Sequence, residues 1–441
     1  MDRQLSQQEL EQRLEAIAKI YKSLGTAFDK VWKDTPDFPG KAEKGQEIKD
    51  AILNDQELKD FMDGAENHRP PKFMLVGKTG VGKSSLVNAL CETYRAKVSD
   101  SEIGTRRTET YEVKRDGKVI LHVLDTRGIA EGNAISGEAE QEVQKDICRF
   151  QPDILLFLCD ITSRDDSVER NVKAIQKLTR AYYEKFQVEI PVVSVLNRTD
   201  ALPPLSQLQA NQYSSKKKAL IETNVERYRE YFQKLSFAPK EIVPVSSYME
   251  WELSSDELAE LTPNEIEMLV PSMDGRYNIE ELIKVILSCL PSDAAMGFLM
   301  LAKMETVLQR ITGKIVSVFA GIAGIIAVTP IPISDLPVLW TLEVTMVILV
   351  AAVGGESLSV NAAKKFLFSV LHIAGFGFAA QQVAKFLNAV FPASGSACSA
   401  AIAAGTVKLL GEAAIQYYIN HADIRKIQKD TKQAIDNLPP K

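Results

Sequence analysis

The chain has 441 residues, 45% of them hydrophobic and 25% charged, so it is long enough for two or three folded domains with sizeable cores. Its net charge of -6 argues against a large nucleic-acid-binding surface, which needs an excess of basic side chains to neutralise phosphates, and no nucleic-acid partner is expected. The five cysteines lack metal-ligand spacing and are odd in number, which is typical of buried thiols in a reducing compartment.

Residues 1–69 predict an N-terminal helical segment. Apolar residues recur there at near-helical spacing with charges opposite, at Leu10, Leu14, Ile17, Ile20 and Tyr21. Residues 1–24 lack the apolar core and cleavage site of a secretory signal, so we expect the following domain to face the cytoplasm. Pro70 and Pro71 end the helical pattern, because proline removes a donor and disfavours helix at the preceding residue.

The segment GKTGVGKS at residues 77–84 predicts a phosphate-binding P-loop, because it follows an apolar strand-like run and opens a helical pattern. Its glycines allow successive backbone N–H groups to surround a β-phosphate, and the helix N-terminus adds its positive dipole end. Lys83 is expected to reach the β- and γ-phosphates, and the Ser84 hydroxyl to ligate Mg²⁺. A plain glycine-rich turn is the alternative. The predicted nucleotide-binding residues here are Gly77, Lys78, Thr79, Gly80, Val81, Gly82, Lys83, Ser84 and Ser85.

A second motif, DTRG at residues 125–128, follows the strand-like run 119–124. A carboxylate at this point can hold Mg²⁺ through water, which makes Asp125 a candidate metal and nucleotide residue. The backbone N–H of Gly128 can donate to a γ-phosphate.

The sequence NRTD at residues 197–200 follows the apolar run 191–196, where a strand of a doubly wound sheet delivers a ligand-contacting loop. The Asp200 carboxylate can accept hydrogen bonds from guanine N1 and N2, and adenine lacks this donor pair. Asn197, Arg198 and Asp200 are therefore candidate guanine-binding residues, with the planar Arg198 guanidinium able to stack on the base. An ATPase is the alternative that Asp200 disfavours.

A weaker signal lies at Ser246 and Ser247, which end the strand-like run 242–245. The backbone N–H of Ser247 is expected to donate to guanine O6. Between these motifs, residues 201–237 form a polar insertion whose three successive lysines, 216–218, are interpreted as a solvated helix face or a contact for an acidic partner.

Six strand-like runs alternate with helical stretches, and residues 278–290 predict a closing amphipathic helix. This pattern predicts an α/β domain, a mostly parallel sheet between helices, over residues 70–291. The strand-like runs are residues 74–76, 111–113, 119–124, 154–158, 192–196 and 242–245.

In this order and spacing, the motifs of residues 71–291 resemble the Era/TrmE-like branch of the translation-factor-related GTPases, and GKTGVGKSSLVNAL is also similar to immunity-related GTPases. The resemblance implies a G domain that changes shape between GTP and GDP. It also implies that Thr108 is the switch threonine that closes on Mg²⁺ and the γ-phosphate, with Thr105 as the alternative. The candidate catalytic residues are then Lys83, Thr108 and Gly128, and the candidate Mg²⁺ ligands are Ser84, Thr108 and Asp125.

Two residues depart from the family pattern. Ile129 stands where many GTPases place the glutamine that orients the attacking water, which predicts slow hydrolysis by an isolated monomer. Gly80 stands where potassium-stimulated relatives carry asparagine, which argues against a monovalent-cation mechanism. Arg106, Arg107 or Arg127 can neutralise transition-state charge in cis or across a G-domain homodimer, or they are simply solvated.

Beyond residue 295 the chain becomes strongly apolar and predicts an all-α C-terminal domain over residues 292–441. Four runs carry no charge, and all except the second approach the length that spans a bilayer. Residues 312–407 therefore predict membrane association, even multi-pass insertion, or else a soluble bundle. The uncharged runs are residues 315–334, 344–355, 366–384 and 386–407.

The sequence TPIPISD at residues 329–335 predicts a sharp corner between two helices. This corner and its flanks, over residues 295–420, resemble the YcjF-like helical domain found after bacterial G domains, a family suspected of membrane association. Residues 412–437 predict one amphipathic distal helix that returns to water, with pairing to the N-terminal helices as one arrangement.

The leading functional hypothesis is a GTPase switch in which γ-phosphate contacts order loops and thereby bias the apolar helical domain, at a membrane. Its cofactors are GTP or GDP and Mg²⁺, and its turnover is slow unless the protein dimerises or is activated. The alternative is a structural membrane or interaction protein that binds GTP with little turnover, which Ile129 motivates.

Overall fold

The computed structural model describes most of the chain, in segments. They are residues 24–33, 41–94, 109–115, 118–126, 137–162, 166–262, 265–266, 269–301, 304–328, 336–356, 360–371 and 397–436, with single positions between 12 and 22. The chain divides into two compact units, Met1–Asn67 with Met304–Lys441, and His68–Lys303. The domain limits expected from the sequence, 1–69, 70–291 and 292–441, stay predictions.

Six strands form the main sheet of the His68–Lys303 unit, which is called the sheet unit below. The strands are β1 (Lys72–Val76), β2 (Glu109–Arg115), β3 (Lys118–Thr126), β4 (Ile154–Asp160), β5 (Val192–Asn197) and β6 (Glu241–Pro244). Their order is β2-β3-β1-β4-β5-β6, and all neighbours are parallel except β2 and β3. All six predicted runs fall on these strands. A two-stranded ribbon pairs β7 (Met249–Glu250) with β8 (Met273–Asp274).

The helices occupy both units. They are α1 (Leu24–Lys33), α2 (Lys41–Asn54), α3 (Gln56–Glu66), α4 (Lys83–Cys91), α5 (Gly137–Phe150), α6 (Asp166–Phe186), α7 (Ser215–Lys234), α8 (Ser255–Glu260), α9 (Ile279–Cys289), α10 (Ser292–Leu299), α11 (Met304–Val328), α12 (Leu336–Val353), α13 (Val360–Val370), α14 (Ala397–Tyr418) and α15 (Ile424–Asp436). The predicted α/β fold with a helical C-terminal region is confirmed.

The sheet is buried on both faces because its inner strands are nearly continuous apolar runs, as parallel strands covered by helices require. Successive side chains of a strand point to opposite faces. Phe73 and Leu75 of β1 therefore join the core that includes α4, α9 and α10, whereas Met74 and Val76 join the core that includes α5, α6 and α7.

The carboxyl ends of the parallel strands meet at one edge of the sheet. Val76 of β1 pairs with Thr126 of β3 and with Phe157 of β4, and the register then aligns Asp160 of β4 with Asn197 of β5. The end of β3 and the chain segments that follow β1, β4 and β5 therefore lie at this edge, which is where ligands bind in open α/β sheets.

Arg69 ties the start of the sheet to α10. Its guanidinium donates to both carboxylate oxygens of Asp153, at 2.8 and 2.7 Å, and to Asp293 at 2.6 Å. The hydrogen bonds to Asp153 raise the pKa of Arg69 above its usual value. A Cβ built on Gly297 of α10 would lie 1.8 Å from the Arg69 carbonyl oxygen, so only glycine permits this close approach.

In the other unit, the apolar α12 packs against α1, α11, α13 and α14, and α15 packs against α13 and α14. A helix that is apolar on all sides is expected in an interior, and almost every described side chain of α12 is buried. One helical stretch in the described part of the chain, Thr306–Gly324, is long and apolar enough to cross a membrane, and 61% of that stretch is buried inside the structure. A core helix of a soluble protein meets the same criteria.

The single distal helix predicted over residues 412–437 is wrong, because the structure breaks it between α14 and α15. His421 has a left-handed backbone with φ 51°, and the Ala422 N–H returns to the Gln416 carbonyl at 2.9 Å, which closes the end of α14. The carboxylate of Asp423 then accepts from the Arg425 N–H at 2.7 Å and caps the start of α15. The corner predicted at residues 329–335 lies outside the described residues.

Candidate nucleotide-binding site

The predicted P-loop connects β1 to α4, as the sequence pattern requires. Two of its glycines have left-handed backbones, Gly80 with φ 78° and Gly82 with φ 93°, a conformation that favours glycine. A Cβ on Gly82 would lie 2.4 Å from the side-chain nitrogen of Asn197, and a Cβ on Gly77 would lie 2.7 Å from the Leu158 carbonyl oxygen. The backbone conformation therefore favours glycine at residues 80 and 82, and the close approach of neighbouring atoms requires glycine at residues 77 and 82.

Lys83, the first residue of α4, is buried at the inner side of this loop. Its Nζ donates to the carbonyl oxygen of Gly77 at 3.0 Å and of Lys78 at 3.4 Å, and it lies 3.7 Å from Asp125 Oδ1. The Lys83 and Asp125 side chains are only 8% and 6% exposed. The end of β1 and the end of β3 thus bring a cation and a carboxylate together beside the loop.

The donor set at this point fits a hard divalent cation. Asp125, the residue before the last of β3, is a nearly buried carboxylate, and Ser84 follows Lys83 at the start of α4 with a half-buried side chain. Mg²⁺ prefers one or two carboxylate or hydroxyl oxygens together with phosphate oxygens. The adjacent Thr126 hydroxyl donates to the Leu75 carbonyl oxygen at 2.9 Å and fixes the end of β3 against β1.

Asn197, the last residue of β5, joins two loops by hydrogen bonds. Its Nδ2 donates to the Val81 carbonyl oxygen at 2.9 Å, and its Oδ1 accepts from the Ser247 N–H at 3.2 Å and from the Ser247 hydroxyl at 3.1 Å. Because Asn197 is 1% exposed, these bonds are shielded from water. Asn197 therefore connects the P-loop to the segment after β6. The predicted contact of the Ser247 N–H with guanine O6 stays a prediction.

The side chain of Asp200 is held from one side by Ser246. The Ser246 hydroxyl donates to Asp200 Oδ1 at 2.7 Å, and the Tyr248 N–H donates to the same hydroxyl oxygen at 3.2 Å. Asp200 lies in a short 3-10 turn, Thr199–Ala201, directly after the end of β5. The two predicted guanine-loop residues Asp200 and Ser246 are thus brought together.

Arg198 is bound to the end of β4 in the structure. It has a left-handed backbone with φ 72°, and its guanidinium donates to Asp160 Oδ2 at 2.8 Å. A cavity of about 280 Å³ lies between the P-loop, the end of β4, α6 and Arg198. The predicted stacking of Arg198 on a base stays a prediction.

With this geometry established, the segment can be compared with known proteins. Residues 72–198 match the family described as 50S ribosome-binding GTPase. This segment is thus similar to P-loop GTPase domains. The match includes the P-loop, Asp125, Asn197 and Arg198 and ends two residues before Asp200.

The chain is also similar to parts of curated proteins. The chain is 30% identical over 195 residues to the tRNA modification GTPase MnmE of Endomicrobium trichonymphae, covering 43% of this chain and 40% of that protein. It is 27% identical over 202 residues to the GTPase Der of Mycoplasma pneumoniae, covering 45% of this chain and 40% of that protein. The chain thus spans about two fifths of the length of these relatives.

Among solved structures, Toc33 from Arabidopsis thaliana in complex with GDP and Mg²⁺ is similar with a TM-score of 0.31. Its sequence identity is 18%, and the similarity covers 60% of this chain and 95% of that chain. The family match does not reach the C-terminal helices, whose YcjF-like resemblance stays a prediction.

Several candidate residues lie outside the described part of the chain, and their roles stay predictions. They are Thr105, Arg106, Arg107, Thr108, Arg127, Gly128 and Ile129.

The interpretation of all three lysines 216–218 as a solvated face is wrong for the middle one. Lys216 and Lys218 are exposed, but Lys217 is 0% exposed and its Nζ donates to the Asp200 carbonyl oxygen at 2.8 Å. The periodicity of α7 could have identified it, because Lys217 shares the buried face of the helix with Ile221 and Tyr228.

Proposed function

We propose that the chain binds GTP with Mg²⁺ and hydrolyses it to GDP and phosphate. We also propose that the nucleotide state acts as a switch on the helical unit, Met1–Asn67 with Met304–Lys441. The observation that carries this proposal is the hydrogen bond from Asn197 Nδ2 to the Val81 carbonyl oxygen. It joins the loop suited to phosphates to the loop suited to guanine, so one ligand with both ends can span them.

At the phosphate end, Lys83 is the central residue. Its ammonium group now satisfies its donors with the Gly77 and Lys78 carbonyl oxygens and stays near Asp125. Phosphate oxygens are stronger acceptors because they are charged, so Lys83 would turn to them and stabilise the charge that develops during phosphoryl transfer. When bound, Mg²⁺ would neutralise part of the negative charge of the β- and γ-phosphates, with Ser84 and Asp125 as the residues that hold it.

At the base end, Asp200 is proposed to select guanine. A carboxylate accepts two hydrogen bonds from the guanine N1–H and 2-amino group, whereas adenine presents no such pair at that edge. Ser246 supports this role because its hydroxyl orients one carboxylate oxygen of Asp200. Leaving this carboxylate without its donors in a complex with ATP would cost binding free energy.

Turnover is proposed to be slow in the isolated chain. Ile129 has no polar group that could orient a water molecule, and it stands where many GTPases have a glutamine that does so. A second copy of the chain, or another activator, would then complete the site through an arginine. The alternative of a nucleotide-stabilised structural protein with little turnover rests on the same Ile129.

We propose further that the GTPase domain works in the cytoplasm, with the helical unit at a membrane. The apolar stretch Thr306–Gly324 supports membrane association by its length and composition, and its burial supports a packed soluble bundle instead. Guanine binding does not depend on which alternative holds.

Base selection provides the direct test of the proposed function. Asp200→Asn should weaken GDP binding by about tenfold or more, because the amide cannot accept both guanine donors. The same substitution should strengthen binding of xanthosine diphosphate, since xanthine has a carbonyl group where guanine has its 2-amino group. Displacement of a fluorescent GDP by GDP, XDP and ADP measures these affinities. Equal affinity for GDP and ADP, or unchanged GDP affinity in the variant, would contradict the proposal.

A further inference from the structure

Lys217 is a buried cation that reaches three backbone carbonyl groups. Its Nζ donates to the carbonyl oxygens of Asp200 at 2.8 Å, Gln207 at 2.7 Å and Pro204 at 3.4 Å, which matches the three donors of an ammonium group. The Nζ also lies 4.5 Å from the centre of the Tyr213 ring, within the range of a cation–π interaction. The ammonium group is thus surrounded by neutral acceptors.

Burying a charge is costly unless hydrogen bonds compensate for the lost water. Burial lowers the pKa of Lys217 from its usual value, while the negative charge of Asp200 acts in the opposite direction. The segment between β5 and α7 has only two short 3-10 turns, Thr199–Ala201 and Ala210–Gln212, so its carbonyl groups need partners from elsewhere. Lys217 supplies a donor to the carbonyl groups of Asp200, Pro204 and Gln207 and so holds these three residues of the segment close together.

A series of contacts also leads from Lys217 to the Asp200 side chain, and with the Lys217 hydrogen bond to the Asp200 carbonyl oxygen it forms a closed ring of contacts. Tyr213, below the ammonium group, stacks on Tyr277 with ring centres 4.9 Å apart. The Tyr277 backbone exchanges two hydrogen bonds of 3.1 Å with Ser246, and the Ser246 hydroxyl donates to Asp200 Oδ1. Lys217 therefore fixes the Asp200 backbone, and Ser246 at the other end of the ring fixes its carboxylate.

We propose that Lys217 is a positioning residue for base recognition, whose ammonium group holds Asp200 where its carboxylate can accept from guanine N1 and N2. This inference rests on the proposed guanine-nucleotide function. It assigns Lys217 to selectivity for the base, whereas the residues that bind phosphate lie on β1, β3 and α4.

The test compares GDP with inosine diphosphate, which lacks only the 2-amino group that the Asp200 carboxylate would accept from. For the full chain, Kd is measured for both nucleotides by displacement of a fluorescent GDP, and the ratio of Kd for IDP to Kd for GDP reports the use of Asp200. Lys217→Met, which keeps an unbranched side chain but ends one bond before the Nζ position and has no donors, should lower this ratio by about tenfold. Lys216→Met, the exposed neighbour on the same helix, should leave the ratio unchanged.

A double variant separates positioning from general loss of structure. In Asp200→Ala the ratio should be low already, and adding Lys217→Met should change it less than about twofold, because there is no carboxylate left to position. If Lys217→Met does not fold, Lys217→Gln replaces it. Its amide nitrogen is one bond short of the Nζ position and cannot reach all three carbonyl groups, so the ratio should again fall.

An unchanged IDP to GDP ratio in a folded Lys217 variant would overturn the inference while leaving guanine binding intact. A ratio that falls equally with and without the Asp200 carboxylate would also overturn it, because the effect would not act through Asp200. A wild-type chain that does not distinguish GDP from IDP, with Asp200→Ala behaving alike, would instead contradict the proposed function itself.

Discussion

Gly82 meets two requirements at once, a left-handed backbone and contact with Asn197. Its φ of 93° disfavours any other residue, and its Cα lies so close to Asn197 that an added Cβ would be 2.4 Å from Nδ2. That nitrogen donates to the Val81 carbonyl oxygen. A side chain at residue 82 would therefore push away the residue that joins the P-loop to the segment after β6.

Gly82→Ala should consequently destabilise the protein by roughly 2 to 4 kcal/mol and weaken GDP binding, through backbone strain plus the displaced Asn197. Gly80→Ala is the matched control, because Gly80 also has a positive φ of 78° but nothing lies within 4 Å of the added Cβ. The control should lose only the strain, on the order of 1 kcal/mol. Thermal unfolding and GDP affinity measure both variants, and equal losses in the two would contradict the role of the Asn197 contact.

Among single residues, the sequence predicted the roles of those whose function depends on residues close to them in the chain. The glycines, Lys83 and Asp125 follow from motifs, since the P-loop follows β1 and Asp125 lies at the carboxyl end of β3. The structural role of Lys217 was missed because three successive lysines look solvated, and the buried contacts come from carbonyl groups 10 to 17 residues away. The bond between Ser246 and Asp200 spans 46 residues and has no local signal.

Among the elements, α12 carries a fully buried acidic side chain. Glu343 is 0% exposed, and neither of its carboxylate oxygens accepts a hydrogen bond within the described part of the chain. Burial in this apolar setting raises the pKa of Glu343 from 4.5 to about 8. The carboxyl group is therefore protonated at neutral pH in the folded protein.

The raised pKa gives a pH dependence of stability with a definite sign. Between about 4.5 and 8 the unfolded chain has lost this proton while the folded chain keeps it, so the contribution of Glu343 to stability declines as pH rises through that window. Glu343→Gln, which cannot ionise, should remove the decline. The free energy of unfolding of the variant minus that of the wild type should grow from pH 5 to pH 8 by on the order of a few kcal/mol, and thermal unfolding at each pH measures it. A difference that stays constant across this range would contradict the assignment.

Element positions were predictable where the hydrophobic pattern alone decides them. β1 and β4 are apolar runs bounded by polar residues, and α9 (Ile279–Cys289) appears within one residue of the limits predicted for the closing helix. The break between α14 and α15 was missed because the amphipathic pattern continues through it. Only the left-handed His421 and the cap at Asp423 end one helix and begin the next.

At the scale of the whole molecule, the chain divides into two compact units. The chain passes between the units twice, at residues 67–68 and 303–304. Within the sheet unit, Arg69 and Asp293 bind each other, so the start of the sheet and α10 are held together near both passages.

The most direct test of GTPase function is release of phosphate from GTP by the full chain, per molecule, over a range of protein concentrations with and without lipid vesicles. The wild type should hydrolyse GTP slowly and ATP not at all, and Lys83→Ala should reduce the rate by about a hundredfold or more. A rate per molecule that rises with concentration or vesicles would mean that a second chain or a membrane completes the site. Equal phosphate release by the wild type and Lys83→Ala would contradict the proposed GTPase function.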